Sequence, residues 1–176
     1  MSLPLKGLTV IEVSSLVAGP AMGELLFELG AEIIKIEQPV LGDPSRKVSP
    51  WGFLNYNYKK RSLSLNLKSD SGKEILYRLI RRKKTAVFIE NLGPDVPKRL
   101  GFSYPILSEL SPSLIYCSIK GFSAKSEYYE RPSFDAVAQA MSGMMSLTGE
   151  PNGPPVRIGN HSVDIGAAAY GAIRVL

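Results

Sequence analysis

Residues 8–37 read LTVIEVSSLVAGPAMGELLFELGAEIIKIE, and the fold is decided there. Leu8-Thr9-Val10-Ile11-Glu12-Val13 is short and β-branched, the composition of a buried strand. Ser14, Ser15 and the Ala18-Gly19-Pro20 step follow, and then the helix-forming run from Met22 to Leu29. Proline near the start and Gly30 just past the end bracket that helix. Proline needs no amide partner in a first turn, and glycine accepts the left-handed backbone that ends a helix. Ala31 to Glu37 (AEIIKIE) reads as a second strand. Strand, helix, strand in this span is a βαβ unit, for which a right-handed crossover is expected.

Working outward, residues 38–60 are rich in Gly, Pro and aromatics and read as one long loop of the kind that often carries function. Ser62 to Leu67 alternates with period two, a half-exposed strand. Asp70 to Arg82 is amphipathic, with Ile75, Leu76, Leu79 and Ile80 on one face. Thr85 to Glu90 is another buried strand, followed by a Gly93-Pro94 turn and a short helical stretch. Leu114 to Ile119 is a further strand, ended by Gly121. Phe134 to Leu147 reads as a helix whose methionines fill core, and Ser162 to Leu176 as a last helix rich in small residues. Alternating strands and helices predict an α/β fold with a mainly parallel sheet. Such sheets bind ligands beyond the carboxyl ends of their strands. The ligand side is therefore assigned to Ser14–Ala18, Asn91–Pro94 and Lys120–Ser123.

Composition removes several function classes. The chain has 176 residues, 44% of them hydrophobic and 21% charged, which fits an ordinary globular protein. A single Cys excludes an internal disulfide framework, and with one His it excludes a His/Cys zinc site. Any Ser–His or Cys–His triad would have to use His161. No apolar run is long enough for a transmembrane helix, and MSLPLKGLTVIEV lacks the features of a secretory signal. A cytoplasmic protein that engages no membrane is expected. The charge of +5 sits mainly in Lys59-Lys60-Arg61 and Arg81-Arg82-Lys83-Lys84, and the second run ends a helix, where cations suit the dipole. No RNA- or DNA-binding signature accompanies these runs, so no nucleic-acid partner is expected; an anionic small molecule suits the field equally well.

Neither G-x-G-x-x-G nor the P-loop pattern occurs. Asp164 lies two residues after Ser162, a good N-cap. An Asp in a helix's first turn is common for dipole reasons alone. It is also a nucleophile that needs no general base, since it is ionised at neutral pH. His161 reads as readily as a surface loop residue.

Together these segments resemble the class III CoA-transferases, the formyl-CoA transferase and carnitine CoA-transferase group. The motifs are Ala18-Gly19-Pro20, Leu29-Gly30-Ala31, Ile34-Lys35-Ile36-Glu37, Gly42-Asp43 and Arg46. They continue through Asn57, Lys60-Arg61-Ser62, Leu65, Lys68, Glu90-Asn91, Gly93-Pro94, Leu100-Gly101 and Ser118 to Phe122. They end with Asp135, Gln139-Ala140, Ser142-Gly143, Leu147-Thr148-Gly149, Gly153-Pro154-Pro155 and Asp164.

The resemblance implies a Rossmann-like sheet flanked by helices, the front part of an interlocked-dimer fold. Asp164 is the implied nucleophile, forming an aspartyl–acyl anhydride and then an aspartyl–CoA thioester. The helix start around Asp164 is expected to donate amides to the tetrahedral intermediates. Leu16, Val17 and Ala18 are implied along the CoA path, Leu65 and Lys68 beside the nucleotide, then Asn91, Leu92 and Arg99, with Arg99 as a phosphate partner. CoA and acyl-CoA are substrates, with a carboxylic acid as the second one, and no cofactor is held permanently. Gln38 departs from the family, which often has Arg there. Racemases of the superfamily carry His where this chain has Phe134 before Asp135, so transfer is expected and racemisation is not.

The chain covers less than half of a family member. It is expected to be the N-terminal part, residues 1–176, of the large CoA-binding domain, with the smaller second domain and the C-terminal return outside it. A homodimer or a complementary chain is the expected partner. The alternative is a truncated or non-catalytic CoA-binding subunit that needs a partner for activity. Residues 123–133 are expected to share in choosing the acids.

Overall fold

A computed structural model describes residues 3–82 and 85–176. Five strands form one sheet: β1 (Thr9–Val13), β2 (Glu32–Glu37), β3 (Arg61–Ser64), β4 (Thr85–Glu90) and β5 (Ile115–Ser118). Their order is β3-β2-β1-β4-β5, and every neighbouring pair is parallel. β1 is therefore central, as its uninterrupted burial requires. The order turns back beside β1, with β2 and β3 on one side and β4 and β5 on the other. This is the switch point at which open α/β sheets bind ligands.

The period of two along β1 splits the apolar interior between the two faces. Ile11 and Val13 pack with Phe88, Phe102, Leu76 and Ile80, the last two from α4 (Asp70–Ile80). Val10 packs on the opposite face with Ile33, Met22 and Leu26 from α1 (Ala18–Glu28), and with Ala168 and Ala172 from α8 (Ser162–Val175). The small residues of α8 let it lie directly on α1: a Cβ at Gly171 would meet Met22 Sδ at 2.8 Å. The close-packing stripe of the last helix is thus used within the chain.

Three local expectations change. The stretch read as one loop holds two helices, α2 (Ser45–Val48) and α3 (Pro50–Asn57), and the Ser49 side chain caps the second by accepting from the Gly52 amide. The helix expected over 134–147 divides into α7 (Asp135–Met141) and a 3₁₀ turn (Met144–Leu147). Gly143 separates them at φ +79°, a left-handed conformation that favours glycine. Ser162 is the first residue of α8 and not its cap, for a reason given below. The remaining helices are α5 (Val96–Leu100) and α6 (Tyr104–Leu110). Lys83 and Lys84 of the second basic run lie outside the described residues.

Candidate active site

The loop after β1 is fixed from both sides. Asn91, just past β4, accepts from the Ser15 amide at 2.9 Å and donates to the Ser15 carbonyl at 2.8 Å. Asp43 accepts from the Leu16 amide at 3.2 Å. Leu16 itself sits at φ +63°, a conformation that costs a non-glycine residue about 1 kcal/mol and persists only when its surroundings enforce it. Gly19 is required beneath the loop, since a side chain there would occupy the space of Ser14.

A buried ionic cluster underlies this loop. The Glu12 carboxylate, fully buried in β1, accepts from Lys35 and Lys60, each at 2.7 Å, and from Ser14 Oγ at 2.9 Å. Lys35 also donates to the Ser14 carbonyl at 3.0 Å, and its ammonium lies 3.0 Å from Asp43 Oδ2. That oxygen receives no well-aligned hydrogen bond, so its charge is met by proximity alone. Burial acts to lower the Lys35 ammonium, but Glu12 and Asp43 overrule it and hold its pKa above the ordinary lysine value. For Lys60 burial prevails over Glu12, and its pKa falls. Two carboxylates and two ammonium groups make the cluster neutral. Beside it, Arg46 grips Glu37 through two bonds of 2.7 Å, and Glu37 also accepts from the Asp43 amide and Ser62 Oγ. Burial pushes Glu37 up, yet these bonds bring its carboxyl down to about 2.

Asp164 is held in a different way. The buried Asp135, at the start of α7, accepts from the backbone amides of Val163 at 2.8 Å and Asp164 at 3.2 Å. It is the cap of α8, supplied from another helix, which is why neither His161 nor Ser162 caps it. The fully buried Gln139 donates to Asp135 at 2.5 Å and to the Asn160 carbonyl at 3.2 Å, and accepts from the Ile158 amide at 2.9 Å. The Val163 and Asp164 amides are thus occupied, which removes these two from the oxyanion donors expected at the helix start. Burial and then the Asp135 charge raise the Asp164 pKa above the ordinary carboxylate value, against a smaller lowering by His161.

Two cavities open on this side of the sheet. The larger, about 480 Å³, is lined by Ser15, Gln38, Leu65, Lys68, Leu92 and Leu100 among others. The second, about 260 Å³, brings Leu16, Val17, Ala18, Asn91, Leu92 and Asp164 together with Lys120 and Arg131. Ser15 and Leu92 line both, so the cavities share a wall. Arg99 lines neither; it is exposed on α5, next to Leu100. Phe134, where the racemases have His, lines the second cavity without a group that could exchange a proton. Among the described residues no cluster of His, Cys, Asp and Glu is arranged to hold a metal ion.

The sequence model of CoA-transferase family III matches residues 5–176. This chain belongs to CoA-transferase family III. Among its relatives, succinyl-CoA:glutarate CoA-transferase of Homo sapiens is 37% identical across 97% of this chain and 40% of its own length. Acetyl-CoA:oxalate CoA-transferase of Acetobacter aceti is 40% identical across 91% of this chain and 42% of its own. A CAIB/BAIF family protein from Brucella suis superposes with a TM-score of 0.90 at 36% identity, covering 99% of this chain and 48% of that one. A hypothetical protein from Mycobacterium tuberculosis does so with 0.89 at 31% identity, covering 98% and 49%. The chain therefore spans less than half the length of these relatives. The residues that sequence reasoning left without a role are Glu12, Lys35, Asp43, Lys60, Asp135 and Gln139. A visible signal existed for two of them: a charge inside an apolar strand, Glu12 in LTVIEV and Lys35 in EIIKIE.

Proposed function

We propose that the chain carries the CoA-binding and nucleophile-bearing part of a CoA-transferase that moves CoA between an acyl-CoA donor and a carboxylic acid acceptor. The observation that carries this reading is the position of Asp164, fixed by Asp135, in a cavity that shares a wall with a larger one big enough to take a nucleotide. In this reading CoA lies with its nucleotide beside Leu65 and Lys68 and its thiol arm crossing Ser15 and Leu92 toward Asp164. Leu16, Val17, Ala18 and Asn91 guide the arm. Arg99 acts at the outer edge, reaching a phosphate from α5.

The Asp164 carboxylate attacks the thioester carbonyl. A C–O bond forms, the C–S bond breaks, and CoA leaves as its thiolate. The thiolate then attacks the aspartyl carbonyl of the mixed anhydride, releasing the donor acid as a carboxylate and leaving an aspartyl–CoA thioester. The acceptor carboxylate repeats the first attack on that thioester, and returning thiolate frees Asp164 and yields the new acyl-CoA. Each tetrahedral oxyanion needs amide donors. With the Val163 and Asp164 amides occupied, the start of α1 at Val17 and Ala18 is the candidate source. The elevated pKa of Asp164 also makes its carboxylate a better nucleophile than an ordinary one, provided it stays ionised.

Residues 1–176 are read as the N-terminal part of the large CoA-binding domain of a cytoplasmic homodimer, or of an assembly with a complementary chain. Among the described residues no helix is long and apolar enough to cross a membrane. Mass spectrometry after incubation with an acyl-CoA tests the reading: an adduct is expected on Asp164. Asp164→Asn is expected to abolish both adduct and transfer while CoA still binds. CoA binding without any adduct would favour the non-catalytic subunit, and unchanged transfer in Asp164→Asn would sink the mechanism.

A further inference from the structure

Resting on the transferase reading, we propose that Arg131 determines acceptor specificity by receiving the distal carboxylate of a dicarboxylic acid. Arg131 and Asp164 line the same cavity, and the charges around it differ in how far they are already committed. Lys120, also in the lining, is spent: its ammonium bonds both Glu90 oxygens at 2.7 Å and the Leu92 carbonyl at 2.6 Å. The Arg131 guanidinium has no carboxylate within ion-pair distance among the described residues. It lies over the Tyr128 ring, 4.9 Å from the centroid. That contact takes up no hydrogen bond, and among the described residues the Arg131 side chain donates none, so its N–H groups are free to pair with an anion.

The segment that bears Arg131 is held at both ends. Tyr128 packs on Phe122, ring centroids 5.7 Å apart, and the Arg131 amide closes a turn onto the Tyr128 carbonyl at 2.9 Å. Gly121 lets the chain pass against Ser133, where any larger residue would collide with the serine side chain. An irregular stretch is thereby pinned with its one cavity-lining cation in the cavity that Asp164 also lines.

A mono-acid acceptor commits its carboxylate to the aspartyl thioester. Asp164 is then an uncharged thioester, but a second carboxylate still enters a cavity backed by the buried Asp135 and is repelled unless a cation meets it. A guanidinium with a free edge meets it in two parallel bonds.

Calorimetric titration of the protein, as its own cell makes it, with glutarate and with pentanoate tests this before and after Arg131→Ala. Glutarate affinity is expected to fall about 100-fold, the size of a lost charge-assisted pair, with pentanoate unchanged. Unchanged glutarate affinity, or an equal fall for both acids, overturns the proposal. A parallel loss of CoA affinity overturns it too, since Arg131 would then serve the CoA phosphates. Arg131-dependent glutarate binding by a protein that forms no adduct on Asp164 would leave Arg131 as a dicarboxylate-binding residue but sink the transferase reading, so the two fail separately.

Discussion

The molecule buries carboxylates on the two sides of its ligand loop by opposite means. Under the β1 end, Glu12 and Asp43 are neutralised by Lys35 and Lys60. Under Asp164, Asp135 is held by amides alone, from Val163, Asp164 and the Gln139 side chain, with no cation within ion-pair distance among the described residues. Both arrangements hold a loop or a helix start in place. Only the second leaves a net negative charge, and that charge is felt by the neighbouring carboxylate, whose pKa it helps to raise. The first region is electrically silent and the second biases a neighbouring carboxylate.

The largest expected effect breaks the silent region. Lys35→Met leaves Glu12 and Asp43 with one ammonium group between them, all buried. An uncompensated buried charge of this kind costs about 3–5 kcal/mol. Denaturant unfolding should show a loss of that size, with the Leu16 loop released as Asp43 loses its cation. A loss below about 1 kcal/mol would mean that water reaches the cluster.

The next effect is an acid limb at the edge of the same region. The folded pKa of Glu37, about 2, lies below its unfolded value near 4.5. Its contribution is therefore present above pH 4.5 and is lost as pH falls toward 2. Arg46 is 43% exposed, so solvent screening reduces the contribution to about 1–2 kcal/mol. Arg46→Met should remove most of this limb, along with the stacking of the guanidinium on Phe53 at 3.9 Å. Identical acid titrations of stability in the two proteins would assign the limb to other groups.

The sheet was legible because its signals are local: the β-branched runs at 9–13, 32–37 and 85–90, and the glycine and proline punctuation between them. The structure brings Asp164 and the loop at 16–18, both motif positions, into the lining of one cavity. What escaped is non-local. Glu12 and Lys35 lie 23 residues apart and look like ordinary strand residues until the parallel register places them side by side. Asp135 caps a helix 28 residues away, and the nearby Ser162 offers a misleading local substitute. The helices within 38–60 were masked by aromatic and glycine content, although Ser49-Pro50 is itself a start signal that a closer reading of caps would use.

The smallest effect is the shift of a single titration, and it is the most informative about the second region. Asp135→Asn keeps an oxygen to accept the Val163 and Asp164 amides but removes the charge and turns an NH2 toward the Gln139 NH2, at a cost of about 1–3 kcal/mol. The sign at Asp164 is the reverse of that at Glu37. A carboxyl whose folded pKa is raised binds its proton more tightly in the folded state, so its contribution favours folding at low pH and is lost as pH rises from 3.8 through the folded value. Removing the Asp135 charge leaves burial as the chief raising cause. The Asp164 pKa should drop and this falling limb should narrow, which carboxyl-carbon NMR titration of Asp164 in the two proteins reads directly. A weaker nucleophile with intact CoA binding is the expected functional companion. If the Asp164 titration does not move, burial alone sets its pKa, and Asp135 serves only to hold the start of α8.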